Sequence, residues 1–190
     1  DCKTLNGFRS FHGLKIGGQF PDSLKKHFKF EMINGNTDSS FMTYSLALKD
    51  LDFTSSVYLK LYQWFQFGEI NFTNLSFDCL PDGRIYEFNL IKLFDATDAT
   101  SQKDSVEIEN NRIPKTILKT SEELTSLFGK MTKTENETDF LGYHLYRIWE
   151  CEKNKILLSL WYSNHGNLPK YTLFIELTFT DKNLEKINKL

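Results

Sequence analysis

Lys15–Lys29 reads KIGGQFPDSLKKHFK, and Lys115–Gly129 reads KTILKTSEELTSLFG. Laid on one another, the two stretches put Leu24 on Leu124 and Phe28 on Phe128. A four-residue step keeps both apolar side chains on one helix face. Each stretch also opens on a start signal. Pro21 suits a first helical turn, where its missing N–H would have had no partner. Thr120 with Glu123 has the spacing of a capping box. The pattern predicts short helices near 21–30 and 120–131, docked through Leu24, Phe28, Leu124 and Phe128.

A second similarity lies outward of these helices, at a different offset. Tyr58–Leu90 can be laid without a gap on His144–Glu176, which puts Leu59 on Leu145, Ile70 on Ile156, Leu75 on Trp161 and Phe88 on Phe174. Gly68 falls on Asn154, and the turn-forming Pro81-Asp82-Gly83 falls on Asn167-Leu168-Pro169. Each half then reads as a helix followed by three strands joined by hairpins. The polar run Asn34–Ser40 leads into one extra strand, Phe41–Leu48. Alternation supplies the strand assignments. Val57, Leu59, Leu61, Phe65 and Phe67 fall on one face, and Tyr58, Lys60, Tyr62 and Trp64 on the other. Tyr171, Leu173, Ile175, Leu177 and Phe179 form a full inward face later in the chain.

Between the halves, residues 95–112 carry Asp95, Asp98, Asp104, Glu107 and Glu109 and read as a polar linker with little to bury. The expected class is therefore α+β in a single domain, 1–190. Two helix-plus-antiparallel-meander repeats, about 13–94 and 113–190, would share one continuous sheet with short helices on one face.

Composition narrows the function classes. The chain has 190 residues, 40% of them apolar and 25% charged, with a net charge of −2. That is too apolar for disorder and too weakly charged to carry an electrostatic footprint for nucleic acid. No apolar run approaches the ~18 residues of a membrane span. Aromatic residues are abundant, with 17 Phe, 8 Tyr and 3 Trp. The chain begins Asp1-Cys2-Lys3 without Met, as it would after removal of a secretory leader or after trimming. Cys2, Cys79 and Cys151 allow either one disulfide with one free thiol, or three thiols.

A Gly-rich entry, Gly13-Leu14-Lys15-Ile16-Gly17, then an amphipathic helix, then a strand meander, all repeated, resembles the tandem-repeat fold of the β-lactamase-inhibitor protein. The same unit used once resembles the small outer-membrane-assembly lipoproteins. The second half, with Tyr146-Arg147-Ile148-Trp149 ahead of Ile156-Leu157-Leu158-Ser159-Leu160, is similar to uncharacterised secreted proteins of Bacteroidetes-type bacteria. The first half has Gln63 where the second has Trp149. The resemblance implies a secreted or periplasmic binding or inhibitory module, associated with the cell envelope, rather than an enzyme.

Catalytic motifs are sparse in the sequence. His12, His27, His144 and His165 are scattered, and alternation puts His144 and Cys151 on opposite faces of a strand. No Gly-x-Ser-x-Gly, HExxH or P-loop occurs. Asn34-x-Asn36-x-Asp38 copies the first ligand positions of a calcium loop, but Ser39 and Ser45 replace the glycine and the bidentate carboxylate that the loop needs. The sequons at Asn71, Asn74 and Asn136 matter only in a eukaryotic secretory pathway. No cofactor, metal or catalytic residue is assigned.

What remains is aromatic. Tyr58, Tyr62 and Trp64 share a predicted strand face, and Tyr146 occupies the matching face of the other half. Either these rings are exposed and form an interface, or loops and the linker fold over them. The leading expectation is a non-enzymatic module whose partner is another protein, with Tyr58, Tyr62, Trp64 and Tyr146 as the binding residues. The alternatives are a carrier with a Phe-lined cavity for a small apolar ligand, and a hydrolase whose site is assembled from distant residues.

Overall fold

The computed structural model describes residues 5, 10–34, 40–51, 54, 58–67, 70–94, 99–110, 112–139, 142–163 and 172–188. Its strands, in chain order, are β1 (Ser10–Phe11), β2 (Leu14–Lys15), β3 (Lys29–Asn34), β4 (Ser40–Ala47), β5 (Gln66–Phe67), β6 (Ile70–Asn71), β7 (Asn74–Cys79), β8 (Ile85–Phe94), β9 (Lys133–Asp139), β10 (Gly142–Glu150), β11 (Asn154–Ser163) and β12 (Thr172–Asp181). The helices are α1 (Asp22–Lys25), α2 (Tyr58–Gln63), α3 (Ala99–Glu109), α4 (Lys115–Phe128) and α5 (Lys182–Asn188). Eight of the strands form one antiparallel sheet in the order β3-β4-β7-β8-β12-β11-β10-β9. The two halves of the chain meet at its centre, where β8 pairs with β12. The fold is α+β, as expected, with a continuous sheet and short helices.

Register explains why the core lies on one side. Tyr44, Phe77, Phe88, Phe179, Ile156 and Trp149 are cross-strand neighbours in one row from β4 to β10. Directly opposed residues share a face. This row is buried together with Leu24 of α1, Phe28 in the bend that follows it, and Leu124 and Phe128 of α4. Phe28 packs on Phe77 with ring centroids 6.0 Å apart, and Phe128 meets Phe179 edge-on at 6.4 Å. Both helical segments therefore dock on the same face through the four residues that their spacing singled out. Phe88 stacks on Phe11 and Phe179 at 4.3 and 4.4 Å. Rings of the Phe-rich interior thus pack on one another.

Five sequence expectations need correction. First, 58–67 is not one long strand but the helix α2 followed by the short β5. The apolar set there satisfies two periods at once. Leu61, Trp64 and Phe65 recur at helical spacing, and all three are buried. Second, the presumed linker contains α3, whose Ile108 joins the core. Its Asp104 is 4% exposed and accepts a hydrogen bond from Thr116 Oγ1 at 3.1 Å. Glu107 Oε2 accepts from the Lys115 backbone N–H at 2.9 Å. Two acidic residues of the stretch read as a polar linker with little to bury are therefore satisfied within the fold, one of them accepting from an otherwise unpaired donor at the start of α4.

Third, α4 starts at Lys115 behind Pro114, so Thr120 is mid-helix rather than a cap. Its hydroxyl donates back to Thr116 O at 3.0 Å, as Ser and Thr do inside helices. Fourth, the first helix is a single turn, and β3 begins where its continuation was expected. The first half takes β3 into the sheet in its place, and the second half carries four sheet strands, β9 being the one not expected. Fifth, the gap-free alignment is out of register. Leu75 lies on the core face, whereas Trp161 lies opposite His144, among residues that alternate with buried Leu158 and Leu160. A slip of one residue exchanges the two faces of a strand, so no even offset can superpose these halves.

Two local expectations hold. Phe41–Leu48 is realised as β4, and Pro81-Asp82-Gly83 makes the β7–β8 turn, with Gly83 at φ 86° and its N–H donating to Leu80 O at 2.8 Å. Cys151 is disulfide-bonded and Cys79 is a buried free thiol. Asn36, Asp38, His165 and the 167–169 turn lie outside the described residues. No helix among the described residues is long and apolar enough to cross a membrane.

Candidate functional site

The second face of the sheet is built from the alternate residues of the same strands. None of its described residues belongs to the apolar core cluster. Its central row runs Glu31, Thr43, Asp78, Glu87, Thr180, Lys155 and Glu150 from β3 to β10. The adjacent row includes Ser45, Ser76, Asn89, Thr178, Leu157 and Ile148. One further step along the strands lie Glu176, Ser159 and Tyr146, and beyond them Trp161 with His144.

The acidic side of this face is held by local hydrogen bonds. Thr43 Oγ1 donates to Asp78 Oδ1 at 2.7 Å. Thr180 Oγ1 donates to Glu87 Oε2 at 2.6 Å, and Asn89 Nδ2 reaches Glu87 Oε1 at 3.3 Å. A bulge after Asp78 lets Asp78 face Glu87 while Cys79 faces Ile85. Tyr86 is the extra residue and meets Phe41 edge-on at 6.4 Å. Bulges of this kind re-aim a side chain. Burial outweighs these hydrogen bonds and pushes the Glu87 carboxyl up to about 7. Burial likewise raises Asp78 and Glu176 above the usual carboxylate range.

That shift has a measurable consequence. The folded state holds the Glu87 proton to about pH 7, whereas an ordinary Glu releases it near 4.5. Between these values the folded state binds more protons than the unfolded one, so this contribution to stability is lost as pH rises through about 7. Glu87→Gln removes the titration. The variant should match the parent near pH 4 and exceed its unfolding free energy by ~2–3 kcal/mol at pH 8. Urea denaturation of both proteins across that range tests it, and a difference that does not vary with pH would refute the assignment.

The aromatic side is a cluster on β10 and β11. Trp161 meets His144 at 4.2 Å and Tyr146 at 6.0 Å, edge-on in both cases. Trp161 Nε1 donates to Ser159 Oγ at 3.1 Å, which fixes the indole. Trp161 and Tyr146 are each only partly buried. His144 beneath them is buried; aromatic residues with a polar handle and a partly exposed body are side chains that anchor interfaces.

The four residues expected to form a binding patch do not come together. Tyr146 is on the second face, as read. Tyr58 and Tyr62 stack on one another at 5.8 Å along α2, one helical turn apart. Trp64 is 1% exposed, and its ring lies edge-on to Phe11 and Phe77 in the core. The error follows from reading α2 as a strand, which sent Trp64 to the wrong side of the sheet. Sequence reasoning missed Trp161, His144, Asp78, Glu87 and Asn89. One signal for Trp161 was present: it breaks the Ile156, Leu158, Leu160 alternation on the off-phase.

Cys79 has no solvent exposure, and burial pushes its thiol up to about 12, so it is chemically quiet. A shallow groove of about 420 Å³ runs beside α4, lined by Leu118, Ser121, Glu122, Thr125, Ser126 and Arg147. No protein-family model, curated protein or solved structure matches the chain.

Proposed function

We propose that this chain is a non-enzymatic binding module that docks a partner protein on the second face of its sheet. The observation that carries the reading is the Trp161–Tyr146–His144 cluster, in which Trp161 and Tyr146 are partly exposed over a buried His144, on the face whose described residues lie outside the apolar core cluster. The acidic rows beside it give the same face a charge character and hence selectivity for one partner over another. Where the partner is an enzyme, docking over its site makes the module inhibitory.

Two further points belong to this reading. The Cys151 disulfide fits a secreted or periplasmic protein, because such bonds persist in oxidising compartments. The element order also supports a duplicated unit. Each half supplies a helix and then a four-stranded meander, and the halves join at β8 and β12. That is the arrangement implied by the β-lactamase-inhibitor-protein resemblance, with the insertion containing α2, β5 and β6 carried by the first half alone.

The test is Trp161→Ala. As a central aromatic anchor, its loss should weaken capture of the partner protein by ~2 kcal/mol, about thirty-fold. Unfolding free energy should fall by less than ~1 kcal/mol, because the ring is not core. A variant that binds as the parent does, or one that unfolds like a core mutant, would sink the docking reading.

A further inference from the structure

Asp78, Glu87 and Asn89 line up as acceptors whose capacity is only partly used: Thr43 donates to Asp78, Thr180 and Asn89 donate to Glu87, and Asn89 Oδ1 has no donor. Asp78 and Glu87 are directly opposed on β7 and β8, and Asn89 follows Glu87 on the same face. Among the described residues, no Lys, Arg or His lies within ion-pair distance of Asp78, Glu87 or Glu176. The surrounding charged and titratable groups are mostly of the same sign. Tyr86 is on the same strand as Glu87, Glu31 lies beyond Thr43 on β3, and Glu185 of α5 acts electrostatically on Glu87. The nearest basic residue in the row is Lys155, separated from Glu87 by Thr180. Adjacent half-buried carboxylates with no cation are costly for a fold to hold.

A separate observation marks the same place. Asn89 is only 8% exposed, and its Oδ1 has no hydrogen-bond partner. Its Nδ2 donates to Glu87 Oε1 at 3.3 Å, so the amide group that carries the orphan oxygen adjoins that carboxylate. Buried amide oxygens are nearly always paired, and an unpaired one calls for a donor. Each of the three groups has acceptor capacity left. Among the described residues, no group of three or more His, Cys, Asp or Glu is placed to hold a metal ion. An organic cation remains, and a guanidinium answers best, with five N–H donors in a fixed fork that matches carboxylates.

We infer that Asp78, Glu87 and Asn89 form the seat for an arginine side chain of the partner that docks on this face. The inference rests on the docking reading above and names the chemistry of what docks. The aromatic cluster gives area, and the acceptors give one charged, geometrically demanding contact.

The experiment uses the full chain and a small probe, Nα-acetyl-arginine N-methylamide, followed by NMR shifts of the Asn89 side-chain amide and the Glu87 carboxyl. The control probe is the citrulline analogue, a neutral isostere. Saturable shifts with the arginine probe alone are expected, with binding at least ten-fold weaker in Glu87→Gln and in Asp78→Asn. Asn89→Ala, which removes the orphan acceptor, should weaken binding several-fold, and dispersed spectra confirm that each variant is folded. Affinity should rise from pH 5.5 to 8 in the parent, as the carboxylates ionise, and stay nearly flat in Glu87→Gln. Equal response to citrulline, or shifts confined to Glu135 and Glu137 on the exposed edge strand β9, would overturn the seat. The two readings fail separately. An arginine probe that binds, with partner capture indifferent to both Trp161→Ala and Glu87→Gln, leaves the seat and removes the docking face. A probe that does not bind, with capture still lost in Trp161→Ala, does the reverse.

Discussion

Replacing Trp64 by Ala is expected to lower the unfolding free energy by ~3–5 kcal/mol, the range for deleting a large buried aromatic side chain. Trp64 closes α2 against the core, edge-on to Phe11 at 6.3 Å and to Phe77 at 6.1 Å. Phe77 in turn belongs to the row that spans the sheet, so the cavity would open beneath its first half. Lys60 places its ammonium 5.8 Å from the ring centroid, and that contact is lost as well. Collapse around the hole is limited because protein cores are close-packed. Urea denaturation gives the answer directly. A change below ~1 kcal/mol would mean that Trp64 is not core and that α2 is misplaced. Under conditions where the variant remains folded, partner capture should be unaffected, the opposite of the outcome expected for Trp161→Ala.

Phe128→Ala should cost a similar ~3–5 kcal/mol. Phe128 is the last residue of α4 and meets Phe179 of the central strand β12 at 6.4 Å. The helix stops there because Gly129 takes φ 87°, and the Gly129 carbonyl accepts from Trp149 Nε1 at 3.1 Å. Truncating Phe128 therefore loosens both the packing and the point at which the chain turns into β9. Leu127 supplies the control. It is the preceding residue, equally apolar, but 53% exposed. Leu127→Ala should stay within ~0.5 kcal/mol of the parent. Equal effects from the two substitutions would show that α4 does not present the Phe128 face to the sheet.

The sequence by itself determined what depends on local period. Leu124 with Phe128 declared one helix face, and Leu24 and Phe28 were singled out as core although the helix ends at Lys25 and Phe28 lies beyond it; the structure buries all four. The alternation of Ile175, Leu177 and Phe179 declared one face of β12, and Pro81-Asp82-Gly83 declared its turn. Antiparallel pairing and a single sheet followed from meanders short enough to need no crossover. Where two periods fitted the same residues, as at Leu61, Trp64 and Phe65, local pattern was silent, and contact with Phe11 and Phe77 selected the helix. Polar composition misled at Asp104 and Glu107, because their partners, Thr116 and the Lys115 amide, become neighbours only when α3 turns back on α4.

The candidate site belongs wholly to tertiary structure. Asp78, Glu87 and Thr180 come from three strands, and Thr180 stands 93 residues from the carboxylate it serves. Pairing of β8 with β12 decided that meeting, and the bulge at Asp78 and Cys79 decided which side chain faces Glu87. Neither leaves a mark in any short window of sequence. Periodicity reports which way a side chain points from its own strand. Only the register between strands distant in the chain decides what it points at.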